Sequence, residues 1–235
     1  MRNAAALRWS GRPPAAVLFD LDGTLFDTAM DIGLALNRTL AERGWPPLPE
    51  TEVRRMVGRG SPILIERAAA AQGRALDRAG QDLMVERFFH HYGKLQEEGE
   101  ETARPYDGAA ASLQELHEAG LRTAIVTNKQ SRFIGGMLRQ WRLERWIDAV
   151  VGGDACARRK PDPEPLLFAC ASLQVPAPQA LMVGDSINDV HAARAAGMPV
   201  FCVSYGYNEG EDPRSLPCDV LLDSLAELPA LLLPR

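Results

Sequence analysis

The stretch Val17-Leu18-Phe19-Asp20-Leu21-Asp22-Gly23-Thr24 decides how the rest of the chain is read. Its apolar run predicts a buried strand of a parallel sheet, and Gly23 ends the pattern with a turn. Two carboxylates therefore stand at the C-terminal end of the strand, the end at which open α/β sheets bind ligands. Strict alternation would send Asp20 and Asp22 to opposite faces. Because the chain is already turning at Asp22, one residue can face a substrate while the other's backbone carbonyl faces a metal.

Downstream of this strand the period changes. Ile32, Ala35, Leu36 and Leu40 repeat at helical spacing until Gly44-Trp45-Pro46-Pro47 stops them. Ser61-Pro62 predicts an N-cap with proline at the first helical position, and Gly73 closes that run. Val85, Phe88, Phe89 and Tyr92 mark a third helix. No strand is expected between Asp27 and about Arg104, and a helical insert of that size reads as a small domain.

From Pro105 the order reverts to helix and strand in alternation. Leu113 and Leu116 belong to a helix ending at Gly120, and Thr123-Ala124-Ile125-Val126 is a buried strand running into Thr127-Asn128. Ser131 is placed to cap the next helix. Ala149-Val150-Val151, Leu181-Met182-Val183, Val200-Phe201-Cys202-Val203 and Val220-Leu221-Leu222 supply further strands, with helices opening at Asp162-Pro163 and ending at Gly197. This βαβ order predicts an α/β fold with a doubly wound, mostly parallel, Rossmann-like sheet. The expected division is a loose tail over 1–14, a core over 15–26 and 105–235, and a helical cap over 27–104.

Composition bounds the function. The chain has 235 residues, 46% of them hydrophobic, enough for a sizeable core. A net charge of -5 lacks the basic footprint of a nucleic-acid binder. No run approaches the roughly 18 apolar residues of a membrane span, and no signal-peptide run follows Arg2, Arg8 and Arg12, so a cytoplasmic location is expected. Cys156, Cys170, Cys202 and Cys218 are too scattered for a C-x-x-C site and read as reduced thiols. Trp141 and Trp146 fit either a subunit interface or the core, which leaves monomer and homodimer open.

Four motifs carry chemistry: Asp20-x-Asp22, Thr127-Asn128, Lys160-Pro161 and Gly184-Asp185-Ser186-Ile187-Asn188-Asp189. Taken singly, each also reads as ordinary structure: an Asp-Gly turn, a strand-ending turn, a solvated basic turn in Arg158-Arg159-Lys160, a helix cap. Lys160 stands out because Lys94, Lys129 and Lys160 are the only lysines among 26 lysines and arginines. In an arginine-biased chain, a lysine there suggests that a compact point charge is wanted.

Together, in this order and at these strand ends, the motifs resemble the haloacid dehalogenase superfamily of phosphohydrolases. With Asp31-Ile32, Val57-Gly58-Arg59-Gly60, Lys160-Pro161-Asp162-Pro163 and Tyr205-Gly206-Tyr207-Asn208, the chain over nearly residues 16 to 234 is similar to bacterial phosphoglycolate phosphatases. The resemblance implies Asp20 as nucleophile, forming an aspartyl-phosphate, and Asp22 as general acid and then base. It implies Thr127 and Asn128 beside the phosphoryl group and Lys160 as the balancing cation. It also implies Mg²⁺ on the carboxylates of Asp20 and Asp185 and the backbone carbonyl of Asp22, with Asp189 as an anchor behind them or an occasional ligand. One lysine does not offset four carboxylates facing a phosphate dianion, so a divalent cation is expected.

The partner so implied is a small phosphate ester, 2-phosphoglycolate first. Its carboxylate requires donors from the cap, for which Gly58, Arg59, Gly60 and Ser61 are the candidates, through backbone N–H groups or the Arg59 guanidinium. The alternatives are a phosphatase of another small sugar or acid phosphate, a β-phosphoglucomutase-type phosphomutase, and a non-catalytic phospho-ligand module. A haloacid dehalogenase proper needs neither metal nor a second acid, and Asp22 and Asp185 argue against it.

Overall fold

In a computed structural model the described residues are 13–233. The tail expected over 1–14 lies outside them except for Pro13 and Pro14. The first strand, β1 (Ala16–Phe19), is fully buried, and β4 (Arg122–Val126), β5 (Ala149–Val151), β6 (Ala180–Gly184), β7 (Val200–Val203) and β8 (Val220–Leu222) join it in a six-stranded sheet of order β5-β4-β1-β6-β7-β8. Every pairing in this sheet is parallel, with Phe19 in register with Ile125 on one side and Val183 on the other. After β1 the chain builds outward in both directions, so β1 lies at the switch point of the sheet.

Alternation along β1 sorts its side chains between two cores. Val17 and Phe19 pack with α5 (Ala109–Glu118), α6 (Gly135–Gln140) and α9 (Leu228–Leu232), whereas Ala16 and Leu18 pack with α7 (Glu164–Leu173) and α8 (Ile187–Ala195). Burial on both faces is why the strands read as continuous apolar runs. The doubly wound α/β fold expected from the sequence is the one observed.

Between β1 and β4 the chain forms α1 (Ala29–Ala41), α2 (Glu50–Arg54), α3 (Ser61–Ala71) and α4 (Arg78–Glu98). These helices gather their own apolar cluster around Leu36, Leu40, Ile65, Met84 and Tyr92, to which Phe133 and Tyr207 contribute from outside the segment. Where the chain enters and leaves the segment, β2 (Phe26–Asp27) and β3 (Arg104–Pro105) pair antiparallel as a two-stranded ribbon. Two local expectations are corrected. Ser61 is the first residue of α3 and not its cap; Gly60, at φ 82°, occupies the cap position, and Pro62 lies inside the first turn. Ser131 opens a 3₁₀ turn (Ser131–Phe133), its hydroxyl donating to Asp154, and α6 starts four residues later.

Candidate active site

The loops that follow three adjacent strands, β4, β1 and β6, hold Thr127, Asp20 and Asp185. Asp20 is the first residue beyond β1 and its N–H donates to the Val183 carbonyl, so its backbone is fixed by the sheet. Lys160 arrives on the segment between β5 and α7, and Asp189 sits in the first turn of α8. All of these side chains are buried.

Lys160 Nζ lies 2.8 Å from Asp20 Oδ1 and 2.7 Å from Asp189 Oδ1. Asp189 Oδ2 accepts from the N–H groups of Asp185 and Ser186 and from the Ser186 hydroxyl, which makes Ser186 and Asp189 a capping box at the start of α8. Asp185 Oδ2 accepts from the Tyr207 N–H at 2.6 Å, and Oδ1 from the Thr24 hydroxyl. Neighbouring glycines allow this crowding. A Cβ on Gly184 would overlap the Asp189 carboxylate, and one on Gly206 would overlap Asp185.

Carboxylate oxygens of Asp20, Asp185 and Asp189 lie within 4.8 Å of one another. Burial, then the nearby Asp189 and Asp22 charges, push the Asp20 carboxyl up to about 6 against the opposing pull of Lys160. Burial and the charges of Asp189 and Asp20 raise Asp185 well above the ordinary carboxylate range. Burial works against the Lys160 ammonium, but Asp189 and Asp20 outweigh it and raise its pKa. A buried all-oxygen donor set carrying more negative than positive charge fits a hard divalent cation.

Asp22 faces a different way. Its Oδ1 accepts from the Thr28 hydroxyl at 2.8 Å and from Lys129 Nζ at 3.1 Å. Lys129 is thus a second lysine inside the site, where the sequence reading counted one. The signal that singled out Lys160, a rare lysine in an arginine-biased chain, applies equally to Lys129 directly after Thr127-Asn128. Asn128 ties the site together: its Nδ2 donates to the carbonyls of Lys160 and Gly58, one from each side of the cleft.

The cleft between sheet and helices is lined by Asp20, Asp22, Thr127, Asn128, Lys129 and, from the helical side, Gly58, Gly60 and Ser61. Arg59 does not line it. Its guanidinium turns outward to Glu209 Oε1 at 2.5 Å, and Arg67 takes the other oxygen of the same carboxylate at 2.6 Å. Of the stretch offered to the substrate, Gly58, Gly60 and Ser61 line the cleft, whereas the Arg59 side chain is paired with an acid 150 residues further along. Tyr207, in sequence only one member of Tyr205-Gly206-Tyr207-Asn208, positions Asp185 through its N–H and bonds Asp27 and Thr28 through its hydroxyl.

Sheet order, strand-end carboxylates and paired lysine define a hydrolase of one class. Residues 17–203 match the haloacid dehalogenase-like hydrolase family, and the chain belongs to that family. Among its relatives, the phosphoglycolate phosphatase of Nitrosospira multiformis is 41% identical over 221 residues, 94% of this chain and 96% of that protein. A plasmid-borne phosphoglycolate phosphatase of Cupriavidus necator is 44% identical over 226 residues, 94% of each chain. The crystal structure of CbbY from Rhodobacter sphaeroides in complex with phosphate superposes with a TM-score of 0.78 at 28% identity, covering 93% of this chain and 99% of that one. Among the described residues, no helix is long and apolar enough to cross a membrane.

Proposed function

We propose that this phosphatase hydrolyses 2-phosphoglycolate to glycolate and phosphate through an aspartyl-phosphate on Asp20, with Mg²⁺ as its cofactor. The observation that carries the reading is the unlike setting of two carboxylates two residues apart. Asp20 belongs to the cluster with Asp185, Asp189 and Lys160, whereas Asp22 faces the cleft with Thr28 and Lys129. Two acids held in different environments suit two different tasks.

In the first step an Asp20 carboxylate oxygen bonds to phosphorus as the ester P–O bond breaks, and Asp22 gives a proton to the departing alkoxide. In the second, water attacks the phosphoryl group, Asp22 takes its proton, and the Asp20–phosphoryl bond breaks. Lys160 offsets charge on Asp20 and on the phosphoryl oxygens, and Thr127 donates to one of them. Asp20, Asp185 and the Asp22 carbonyl would hold Mg²⁺. When bound, the ion neutralises charge on the phosphoryl oxygens. Both oxygens of Asp189 already have donors, Lys160 on one and the start of α8 on the other, which supports its role as an anchor. The helices over 27–104 act as the cap of the site. Gly58, Gly60 and Ser61 bring backbone N–H groups and a hydroxyl to the far end of the substrate.

The test is phosphate release from 2-phosphoglycolate, other phosphorylated acids, hexose phosphates and xylulose 1,5-bisphosphate, which CbbY of Rhodobacter sphaeroides binds in a mutant crystal. Each is assayed with Mg²⁺ and with EDTA, beside Asp20→Asn. Mg²⁺-dependent release favouring 2-phosphoglycolate and lost in the variant is the expected result. Release favouring a sugar phosphate overturns the substrate and keeps the chemistry. Release retained in EDTA or in Asp20→Asn overturns the chemistry.

A further inference from the structure

Beside Asp22 the cleft holds a second buried cation, Lys129, to which the steps above give no task. Lys129 follows Thr127 by two residues, and its N–H donates to the Thr127 hydroxyl oxygen. Its side chain is only 6% exposed. The ammonium sits 4.4 Å from the centroid of the Tyr92 ring and bonds one acceptor, Asp22 Oδ1. The Tyr92 hydroxyl is buried too; it lies near the Lys129 ammonium and makes no well-formed hydrogen bond with any of the described residues. Phe88, Phe89 and Phe133 make the neighbouring wall apolar.

Burying an ammonium in such a setting costs several kcal/mol unless its charge is matched. Here Asp22 matches it, and that pairing engages one of the three ammonium hydrogens. An ammonium with donors to spare, beside an idle hydroxyl, is suited to a second anionic group on the ligand. The placement agrees: the ammonium is 3.1 Å from Asp22 Oδ1, the group that serves the ester oxygen, and in a phosphorylated two-carbon acid one carbon separates that oxygen from the carboxylate. The aromatic wall offers no partners to the hydroxyls of a hexose phosphate, which would be buried unpaired.

We propose that Lys129, with the Tyr92 hydroxyl beside it, is the specificity determinant that receives the carboxylate of a short phosphorylated acid. This rests on the phosphatase reading above and deepens it. On binding, the ammonium exchanges Asp22 Oδ1 for the substrate carboxylate, and Asp22 is left free to face the ester oxygen. A substrate without the second anion leaves Lys129 on Asp22, so the discrimination acts on kcat as well as on KM.

The experiment compares kcat/KM for 2-phosphoglycolate and for 2-phosphoglycolamide, its uncharged analogue, with Mg²⁺, in wild type, Lys129→Met and Tyr92→Phe. Wild type should favour the acid by roughly 10- to 100-fold, the worth of a charge-assisted hydrogen bond. In Lys129→Met that ratio should fall to within about threefold, and in Tyr92→Phe by a few-fold. An acid-to-amide ratio unchanged in Lys129→Met overturns the proposal even if its absolute activity drops, because equal loss on both esters is what a merely structural lysine gives. If Lys129→Met does not fold, the wild-type ratio and Tyr92→Phe still decide: a wild type indifferent to the amide overturns it. A wild type that prefers a hexose phosphate to both removes the substrate reading itself, an outcome distinct from a wild type that prefers the acid through other residues.

Discussion

Asp20→Asn should make the metal-free protein more stable while removing its activity. Burial raises the Asp20 carboxyl from 3.8 to about 6. A carboxyl with a raised pKa binds its proton more tightly in the folded chain than in the unfolded one, so its stabilising contribution is present below about pH 4 and is lost as pH rises through 6. At pH 7.5 the charged Asp20 therefore costs the fold about 3 kcal/mol, at 1.36 kcal/mol per pH unit, and at pH 5 about half of that. Asparagine carries no charge at either pH, so the variant should exceed wild type at both, by on the order of 3 kcal/mol at pH 7.5 and by about half as much at pH 5. Urea unfolding in EDTA at the two pH values measures both differences, provided the slopes of the two proteins agree. A variant less stable than wild type at pH 7.5, or a difference that does not change with pH, would refute the reasoning.

Mg²⁺ should raise the urea midpoint of wild type more at pH 7.5 than at pH 5, since protons compete with the cation for the raised carboxyls of Asp20 and Asp185; an equal gain at both places the ion elsewhere. Lys160→Met leaves Asp20 and Asp189 without their shared cation. It should lower kcat by about 10²–10³ and destabilise the metal-free fold by roughly 3–5 kcal/mol at neutral pH, and a kcat above a tenth of wild type speaks against its role. Gly184→Ala drives a methyl group into the Asp189 carboxylate, so thermal melts should show a loss of about 1–3 kcal/mol with loss of activity. Gly136→Ala, in α6 where nothing crowds the added atom, should gain up to about 1 kcal/mol; two alanines with the same effect would show that packing at Gly184 is not the cause.

The sheet was legible because its strands are buried on both faces and announce themselves as short runs such as Thr123-Ala124-Ile125-Val126 and Leu181-Met182-Val183. Carboxylates at the ends of such runs pointed directly to the cleft. Short, non-local features did not show. The β2–β3 ribbon joins Phe26-Asp27 to Arg104-Pro105, two residues a side, and no local pattern in either predicts the other. The five-residue α2 buries only Val53, too little for a periodic signal. Arg59 was read toward the substrate because its captor, Glu209, belongs to a loop that the sheet brings back from the far end of the chain. The direction of the Lys129 side chain depends on how the chain turns after β4, which no local pattern specifies.

The ribbon at the neck of the helical segment has a mechanical consequence. Two separate tethers would let four helices slide as well as tilt, whereas strands zipped side by side act as the pin of a hinge. A displacement of the helices against the sheet would have to carry both crossings together, because the ribbon joins them. Asn128 ties the Gly58–Ser61 loop to the end of β4, so that loop and the ribbon fasten the helices to the sheet at two separate places. The same ribbon reaches the chemistry at its base: Phe26 bridges to Asp22, and Asp27 accepts from the hydroxyl of Tyr207, whose N–H positions Asp185.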